Sequence, residues 1–381
     1  MEETERLVAA FTSTSTHLLN TSNDMVRDWW RNVSAAFWST DFWLPDGITW
    51  QDVHTSAGDV WLYPILFCFM FLSLRYCFIE PFVLVPLARS RGIQNTRPTP
   101  PRTNALLETI YGQHQTRAPK VVVSWACRST GQTVRQVERW LRRKHALTYP
   151  NNHHKFLDCG FKLLCHTGFG ILGAAVTLPK PWLWDTSLCW KDFPNHEVTS
   201  DVFWYYMIIL GYYWAITLVE LPQPGSQDSN KSQMILHHTL TILLIVFSWT
   251  CGFIRIGILI LFIHEYSDIA LLAAKMCKYA KYDAVCEQLF VAFLVLWILT
   301  RCCVLPFWIA RSVFFESTEW QVMPAIYVFQ FWFGSLLLLT GMWTVLVVKT
   351  MVRKISGGGL HDVRSSSEQS DIASEDDKKT N

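Results

Sequence analysis

The sequence is poor in charged residues. Lys, Arg, Asp and Glu make up 17% of its 381 residues, whereas they make up about 25% of ordinary soluble proteins. The net charge is only +2, so the chain as a whole lacks the basic surplus that is typical of nucleic-acid-binding proteins. Because 50% of the residues are apolar and 14% are aromatic, the composition also excludes an intrinsically disordered chain.

Cysteine motifs are absent as well. The 11 cysteines form no CxxC or Cys/His spacing, so the sequence predicts neither a zinc site nor a disulfide framework. Those inside apolar segments are expected to be small buried side chains: Cys68, Cys77, Cys165, Cys302 and Cys303. A signal peptide is not expected, because the acidic start MEETER is followed by a Ser/Thr-rich stretch without a long apolar core.

Apolar residues, in contrast, form blocks that are long enough to cross a bilayer, which takes about 20 residues in a helix. Seven such blocks lie at roughly 61–87, 157–178, 202–221, 235–253, 256–276, 289–309 and 325–349. We therefore predict an all-α fold, a polytopic membrane bundle of about seven transmembrane helices. A small cytosolic helical segment is expected between the first two of them.

Basic residues are distributed unevenly over the connecting segments. Residues 89–156 contain 13 Lys and Arg, whereas residues 1–60 contain three. The positive-inside rule therefore places 89–156 and the C-terminus in the cytosol, and the N-terminus in the lumen. Of the glycosylation triplets, those at Asn20 and Asn32 are then luminal and expected to be modified, whereas that at Asn230 is cytosolic.

The last residues, 354–381, form a polar tail. Gly357, Gly358 and Gly359 end the preceding helix, and the acidic, Ser-rich stretch after them is typical of disorder. Ser374 precedes three acidic residues, a context that suits phosphorylation by an acidophilic kinase. The alternative is a tail that only aids solubility.

Ionisable side chains are concentrated in two neighbouring spans, where such groups are costly and usually functional. The fourth span contains His237 and His238, and the fifth contains His264, Glu265 and Asp268. Gly252 and Arg255 between them indicate a very short turn joining two antiparallel helices. His238 and Asp268 each lie 15 residues from Phe253, or about 22 Å along a helix, so the cluster is expected to meet at one level towards the cytosol.

Each of these residues also has a purely structural interpretation. His237 and His238 suit interfacial histidines at a helix start, and Asp268 suits a buried partner of Lys275. The convergence of three imidazoles and two carboxylates favours a functional site. Other charged residues in or near the spans are isolated by spacing and are expected to pack or snorkel: Arg75, Glu80, Lys162, Glu220 and Arg301.

The residue types indicate the chemistry. An imidazole is a suitable base or transient nucleophile, and a carboxylate can fix its tautomer. The cluster therefore suits acyl transfer from a thioester to an amine. Oxidation at a histidine-bound metal is the competing chemistry, but His153, His154 and His166 do not supply the further histidine boxes of membrane di-iron enzymes. We expect no metal.

The stretch from His237 to Lys275, HHTLTILLIVFSWTCGFIRIGILILFIHEYSDIALLAAK, resembles the signature motif of ceramide synthases. Further segments that are similar to this family lie at 42–50, 181–190, 205–214 and 300–308, so the resemblance covers roughly 40–355. It implies a luminal segment over 1–60, a first transmembrane helix over 61–88 and a TLC-type catalytic bundle over 152–353, in the endoplasmic reticulum membrane. The implied reaction is N-acylation of sphinganine or sphingosine by a fatty acyl-CoA, without a cofactor.

The resemblance also implies roles for the clustered residues. His237 or His238 would act as base or transient acyl carrier, and His264, oriented by Asp268, would complete the proton path beside Glu265. The CoA phosphates would lie at a cytosolic mouth near Lys231, Lys275, Lys278 and Lys281. Homodimers, or heterodimers with other ceramide synthases, are common in the family.

Some residues depart from the family pattern. Glu265 stands where the family usually has Asp, Gly252 where it has Asn, and Leu272 where it has Glu. The extra methylene of Glu265 shifts a positioned carboxylate by about one C–C bond. An alternative interpretation is therefore a divergent, non-catalytic TLC membrane protein that binds lipid or regulates a partner synthase. In the family the loop before the last span, here 311–321, influences acyl-chain preference, but its sequence gives no carbon number.

Within the cytosolic segment 89–150, residues 120–147 resemble the second half of a homeodomain, as in many ceramide synthases. Val134, Val137, Trp140 and Leu141 recur there at helical spacing. The first homeodomain helix is expected to be missing or degraded by the stretch PTPPRTN, and no Asn is available to contact adenine. The basic side chains of this segment are therefore expected to meet membrane lipid headgroups or acyl-CoA phosphates, and not DNA.

Overall fold

The computed structural model describes residues 24–96, 99–148, 150–221, 229–320 and 323–356, with side chains for all but 229–231 and 320. These residues form helices and connecting turns without a β-strand, which confirms the all-α prediction. The helices are α1 (24–37), α2 (Asp59–Ser90), α3 (Ala105–His114), α4 (Lys120–Thr130), α5 (Val134–Thr148), α6 (Asn152–Thr177), α7 (Ser200–Glu220), α8 (Ser229–Thr250), α9 (Ile254–Tyr279), α10 (Asp283–Glu319) and α11 (Pro324–Ile355). Asn20, Ser374 and the side chain of Lys231 lie outside this description.

Seven helices are long and apolar enough to cross a membrane, as predicted: α2 and α6 to α11. Local signals set their ends. The Asn151 side chain accepts a hydrogen bond from the His154 backbone N–H and caps α6, and Pro324 occupies the first turn of α11. Asn and Pro both favour a helix start. The Asn side chain accepts a hydrogen bond from a backbone N–H group that is otherwise unpaired there, whereas Pro has no backbone N–H group to leave unpaired.

Helix α9 lies at the centre of the bundle and packs most extensively against α6. Small residues on α6 allow this close approach. A Cβ at Gly170 would lie 3.1 Å from Ile269 Cδ1, and one at Gly173 would lie 3.2 Å from Phe262 on α9. The outer helices α2, α10 and α11 bury much less of their surface than α7 and α9 do. The centre of the bundle is thus the place where polar groups are shielded from lipid.

Helix α10 differs from its prediction. It continues from Asp283 to Glu319 through wide π-helical turns over Ile298–Ala310. Pro306 lies inside these turns, and a proline removes one backbone donor from the regular ladder. The loop expected over 311–321 is therefore wrong for most of its length, because the chain remains helical as far as Glu319 and Trp320.

The segment predicted to be cytosolic forms a three-helix unit with its own core. The residues of that core are Leu107, Ile110, Val123, Ala126, Val137, Trp140 and Leu141. A helix is present before the homeodomain-like stretch, since α3, of ten residues, follows PTPPRTN directly, so the first of the two alternatives, a missing helix, is excluded. Asn104 caps α3, and the Trp140 indole donates to the Arg102 carbonyl at 2.7 Å, so the stretch is anchored to α5. Val134 does not join the core and is exposed.

The cysteines are free thiols, as expected, but not all of them are buried. Cys68 and Cys165 lie in the core of the bundle. Cys77 and Cys303 are exposed on its outer surface, and Cys302 is half-buried. The prediction of uniform burial was wrong because an apolar span in a membrane protein has a lipid-facing side that composition does not distinguish from the core.

Candidate active site

Helices α8 and α9 form the predicted hairpin. Only Cys251, Gly252 and Phe253 separate them, and Gly252 has a φ of +79°, a conformation that glycine adopts without strain. Both helices therefore return towards the same end of the bundle. The five ionisable residues singled out in the sequence lie at that end, but they are divided among four different environments.

The first environment is a narrow cavity between α7, α8, α9 and α11, with about 410 Å³ of empty space when its open mouth is included. His237 and His264 are the imidazoles in its wall. The lining residues are Tyr206, Tyr213, His237, Thr241, Leu244, Ile245, Ser248, Gly257, Ile260, Leu261, His264, Phe329 and Leu336. The cavity is thus mainly apolar, with two histidines at one end.

His264 has one nitrogen fixed and one free. Its Nδ1 donates to the Ile260 carbonyl at 2.5 Å, whereas its Nε2 is buried and has no hydrogen-bond partner among the described residues. In the neutral ring this arrangement places the proton on Nδ1 and leaves a lone pair on Nε2.

His237 also has a free nitrogen. Its Nδ1 is buried without a partner in the described structure, and its ring packs edge-on against Trp343 at 4.9 Å between centroids. Buried polar atoms are nearly always hydrogen-bonded. Two unpaired imidazole nitrogens at one cavity therefore mark a place where a polar ligand group can bind.

Asp268 lies in a second environment and does not contact His264. Its Oδ2 accepts from Arg301 Nη2 at 3.2 Å, and the same nitrogen donates to the His264 carbonyl at 3.1 Å. The Ile260 carbonyl, not Asp268, is the hydrogen-bond partner of the His264 ring. The prediction that Arg301 is isolated is wrong: it is buried and joins α10 to α9. Its partner lies 33 positions away in sequence, too far for helical spacing to reveal.

Glu265 lies in a third environment, on the α6 side of α9. It is 1% exposed, and its Oε2 accepts from His166 Nδ1 at 2.6 Å. On the other side of the ring, His166 Nε2 lies within hydrogen-bond distance of the Tyr212 hydroxyl, at 3.3 Å. Neither His166 nor Tyr212 lines the cavity. From the sequence, His166 was weighed only as a metal ligand, and its pairing with Glu265 was not predicted.

His238 is also directed away from the cavity. Its Nδ1 lies 3.3 Å from Glu220 Oε2 on α7, without the alignment of a hydrogen bond. Glu220 in turn contacts Lys162, which lies 2.9 Å from Asp158 on α6. Glu220 and Lys162, both expected to be isolated, are therefore paired.

The chain of ion pairs continues to α2. Arg75 bridges Asp158 at 3.1 Å and Glu80 at 2.7 Å, with its side chain 3% exposed. Removing a charge from water is costly unless it is paired, and this pairing connects α2, α6 and α7. Spacing along the sequence could not reveal it, because most of the contacts join different helices.

Three of the four lysines expected to bind CoA lie near the end of α9 and in the turn after it, and the side chain of the fourth, Lys231 on α8, lies outside the described structure. Lys275 and Lys278 are half-buried, and Lys281 is exposed. Among the residues that the structure describes, no three His, Cys, Asp or Glu side chains are grouped so that they could hold a metal ion.

Comparisons with known proteins cover most of the chain. Residues 155–349 match the TLC domain, which is about half of the sequence. Ceramide synthase 5 of Homo sapiens is 31% identical over 352 residues, which are 88% of this chain and 88% of that protein. Ceramide synthase 3 of Mus musculus is 30% identical over 344 residues (87% and 88%), and ceramide synthase 4 of Homo sapiens is 29% identical over 349 residues (89% and 87%).

Proposed function

The chain belongs to the ceramide synthases of the TLC-domain family, and we therefore propose that its cavity is where a fatty acyl group passes from acyl-CoA to the amine of a sphingoid base. The resemblance predicted from the motif between His237 and Lys275 is thus confirmed. One observation carries the assignment of the site: two imidazoles with unpaired nitrogens line an otherwise mainly apolar cavity. Such a cavity can hold a hydrocarbon chain and present its reactive end to a base.

The chemistry requires a proton acceptor. The amine nitrogen attacks the thioester carbonyl carbon, an N–C bond forms, and the C–S bond breaks. The proton lost by the amine passes to the free Nε2 of His264, and the departing CoA thiolate then takes up that proton. A positioned base of this kind contributes about 10²–10⁴-fold to a rate.

His237 has two possible roles beside His264. It either assists as a second base, or its free Nδ1 first takes the acyl group from CoA and then passes it to the amine. In the second case the C–S bond breaks as the N–C bond to the imidazole forms, and that bond breaks when the amine attacks. Both routes consume acyl-CoA and sphingoid base and need no other cofactor.

The remaining predicted residues support this site from outside. Neither Asp268 nor Glu265 lines the cavity. Asp268 therefore acts by positioning α9 through its contact with Arg301, and Glu265 acts by positioning α9 through its contact with His166. His238 holds α8 against α7 near Glu220. Lys231, Lys275, Lys278 and Lys281 remain our candidates for the CoA phosphates, since a flexible ammonium group is a common phosphate ligand.

We place the protein in the endoplasmic reticulum membrane, as the resemblance to ceramide synthases implies. In this proposal the N-terminus is luminal and the C-terminus cytosolic, because the basic residues are concentrated in the segments assigned to the cytosol. The basic helix α5 leads within a few residues into α6, so its exposed Arg135, Arg139 and Arg143 lie close to where the bundle begins. They suit anionic lipid headgroups. Homodimers or heterodimers with other synthases remain a prediction.

Reconstitution of the purified full-length chain tests the proposal. With sphinganine and labelled acyl-CoA from C14 to C26, we expect ceramide for at least one chain length. His237→Ala and His264→Ala should each lower kcat by about 10²-fold or more, because each removes a group that contacts the reacting atoms. His54→Ala is the matched control, since His54 is an exposed histidine outside the bundle core.

His238→Ala separates the two adjacent histidines. Because His238 is not in the cavity wall, we expect it to retain far more activity than His237→Ala. Absence of ceramide at every chain length would favour the non-catalytic alternative. Full activity in both the His237 and His264 variants would exclude this cavity as the active site.

A further inference from the structure

Two side-chain hydroxyl groups and a glycine close the end of the cavity that lies away from the histidines. Three of its lining residues lie there, one on each of three helices: Tyr206 on α7, Ser248 on α8 and Gly257 on α9. Tyr206 is 0% exposed and Ser248 is 1% exposed. A polar contact at the closed end of an apolar cavity needs an explanation, because aliphatic side chains would close it without burying hydroxyl groups.

The two hydroxyls satisfy each other. The Ser248 Oγ donates its one proton to the Ile245 carbonyl at 3.0 Å. The 2.6 Å contact between Tyr206 and Ser248 is therefore a hydrogen bond in which the tyrosine hydroxyl donates to the serine oxygen. The Tyr206 ring also packs against Trp249 at 5.5 Å between centroids. These contacts hold the tyrosine in one position.

Gly257 makes room for this contact. A Cβ at position 257 would overlap the Tyr206 hydroxyl and would lie 3.0 Å from Ser248 Oγ. The hydroxyl therefore lies directly on the backbone of α9, and the three helices meet at one point. Any larger residue at 257 would push the tyrosine from its place.

The space beyond this point is filled. Trp249 and Phe253 are fully buried there, and the Phe253 ring packs against Trp190 at 5.6 Å and Phe329 at 5.4 Å between centroids. A chain that enters from the histidine end therefore stops at Tyr206. Ser248 lies 11 residues from His237 on α8, and Gly257 lies 7 residues from His264 on α9. These separations correspond to about 16 Å and about 10 Å along the helices.

We propose that the Tyr206–Ser248 hydrogen bond over Gly257 is the floor of the acyl-chain cavity and sets the longest acyl group that the protein transfers. This inference rests on the proposed function, since it assumes that the acyl group lies in the cavity with its carbonyl near His237 and His264. The floor selects by length alone, because its two hydroxyls are already paired and offer nothing to an apolar chain end. When the acyl chain is too long, its far end contacts the floor and its carbonyl group is held away from His237 and His264.

Two substitutions should move the selectivity in opposite directions. Tyr206→Leu shortens the side chain at the floor, so the ratio of kcat/KM for longer over shorter acyl-CoA should rise. Gly257→Ala pushes the tyrosine into the cavity, so the same ratio should fall. We expect each substitution to change this ratio about tenfold or more, because one methylene group in an apolar pocket changes kcat/KM by at least that factor.

A double variant tests the contact itself. Tyr206→Phe removes the atom that a Cβ at 257 would overlap, and the ring carbon left behind would lie 3.1 Å from that Cβ. Adding Tyr206→Phe to Gly257→Ala should therefore return the ratio most of the way towards the wild-type value. The matched control is Tyr205→Leu, since Tyr205 is equally buried on α7 but lies against Gly173 and outside the cavity wall.

The outcomes separate the two proposals. A ratio of kcat/KM values does not depend on how much of the sample is folded, so a partly unfolded variant still gives a valid answer. If the wild type makes ceramide but Tyr206→Leu and Gly257→Ala leave its chain-length profile unchanged, the floor is excluded and the function stands. If the wild type makes no ceramide of any length, the proposed function itself has failed.

Discussion

Glu265 reaches a histidine on a neighbouring helix. The pair is almost fully buried, at 1% exposure for the Glu265 side chain and 10% for that of His166, and Tyr212 completes it. The extra methylene relative to the usual aspartate of the family lengthens the side chain towards α6. Glu265 therefore need not be a damaged catalytic acid, because it has a structural partner of its own.

Removing either member should destabilise the protein, since the other would be left buried and unpaired. In a double-mutant cycle of Glu265→Ala and His166→Ala, we expect a coupling energy of about 1–3 kcal/mol in the free energy of unfolding. Glu265→Asp should lower, not raise, both stability and ceramide formation. Thermal unfolding in detergent and the product assay measure the two effects. A gain in activity with Asp at 265 would contradict this account.

Individual residues show how far sequence reasoning reached. His237 and His264 could be found because an imidazole is costly in an apolar span. Their supporting partners could not be found in the same way. His166 is 99 positions from Glu265, and Arg301 is 37 positions from His264. Such contacts depend on which helices are neighbours and on how each is rotated, and spacing within one helix specifies neither.

Among the helices, α9 and α10 are joined by one buried cation. Arg301 contacts the His264 carbonyl, the Ser267 hydroxyl and Asp268 on α9. It therefore fixes the height at which His264 enters the cavity. This positioning role explains why a charge occurs in the middle of α10, where lipid or apolar packing would otherwise be expected.

We expect Asp268→Ala and Arg301→Ala to lower ceramide formation to a similar extent, and the double variant to be no worse than either, because both act through one interaction. Each should cost about 1–3 kcal/mol of stability, less than breaking a wholly buried pair, since the Asp268 side chain is 31% exposed. Unfolding curves and kcat for the three variants measure this. Fully additive losses of activity would instead assign Asp268 a separate role at the reacting atoms.

The helices themselves were largely predictable. Hydropathy identified all seven spans, because crossing a bilayer imposes a minimum apolar length. It could not identify the π-helical turns of α10 or the helical continuation to Glu319, since both depend on local backbone pairing around Pro306. Hydropathy also did not identify α3, a helix of ten residues that packs Leu107 and Ile110 into a small core shared with α5.

At the scale of the whole molecule, the orientation in the membrane can be checked by glycosylation. Asn32 is exposed on α1, in the segment that charge distribution assigns to the lumen. We expect a glycosidase-sensitive mobility shift that Asn20→Gln and Asn32→Gln together abolish. Asn230→Gln is the control and should change nothing, because its triplet is assigned to the cytosol. A shift that depends on Asn230 would invert the topology.

The closure at Tyr206 has a consequence for turnover. A pocket with a single mouth cannot be emptied from behind, so the finished amide must withdraw its tail by the path along which the donor inserted it. Product and incoming thioester then compete for one channel. We therefore expect ceramide of the favoured length to inhibit the reaction competitively, so that the rate should fall as the surrounding bilayer becomes enriched in it.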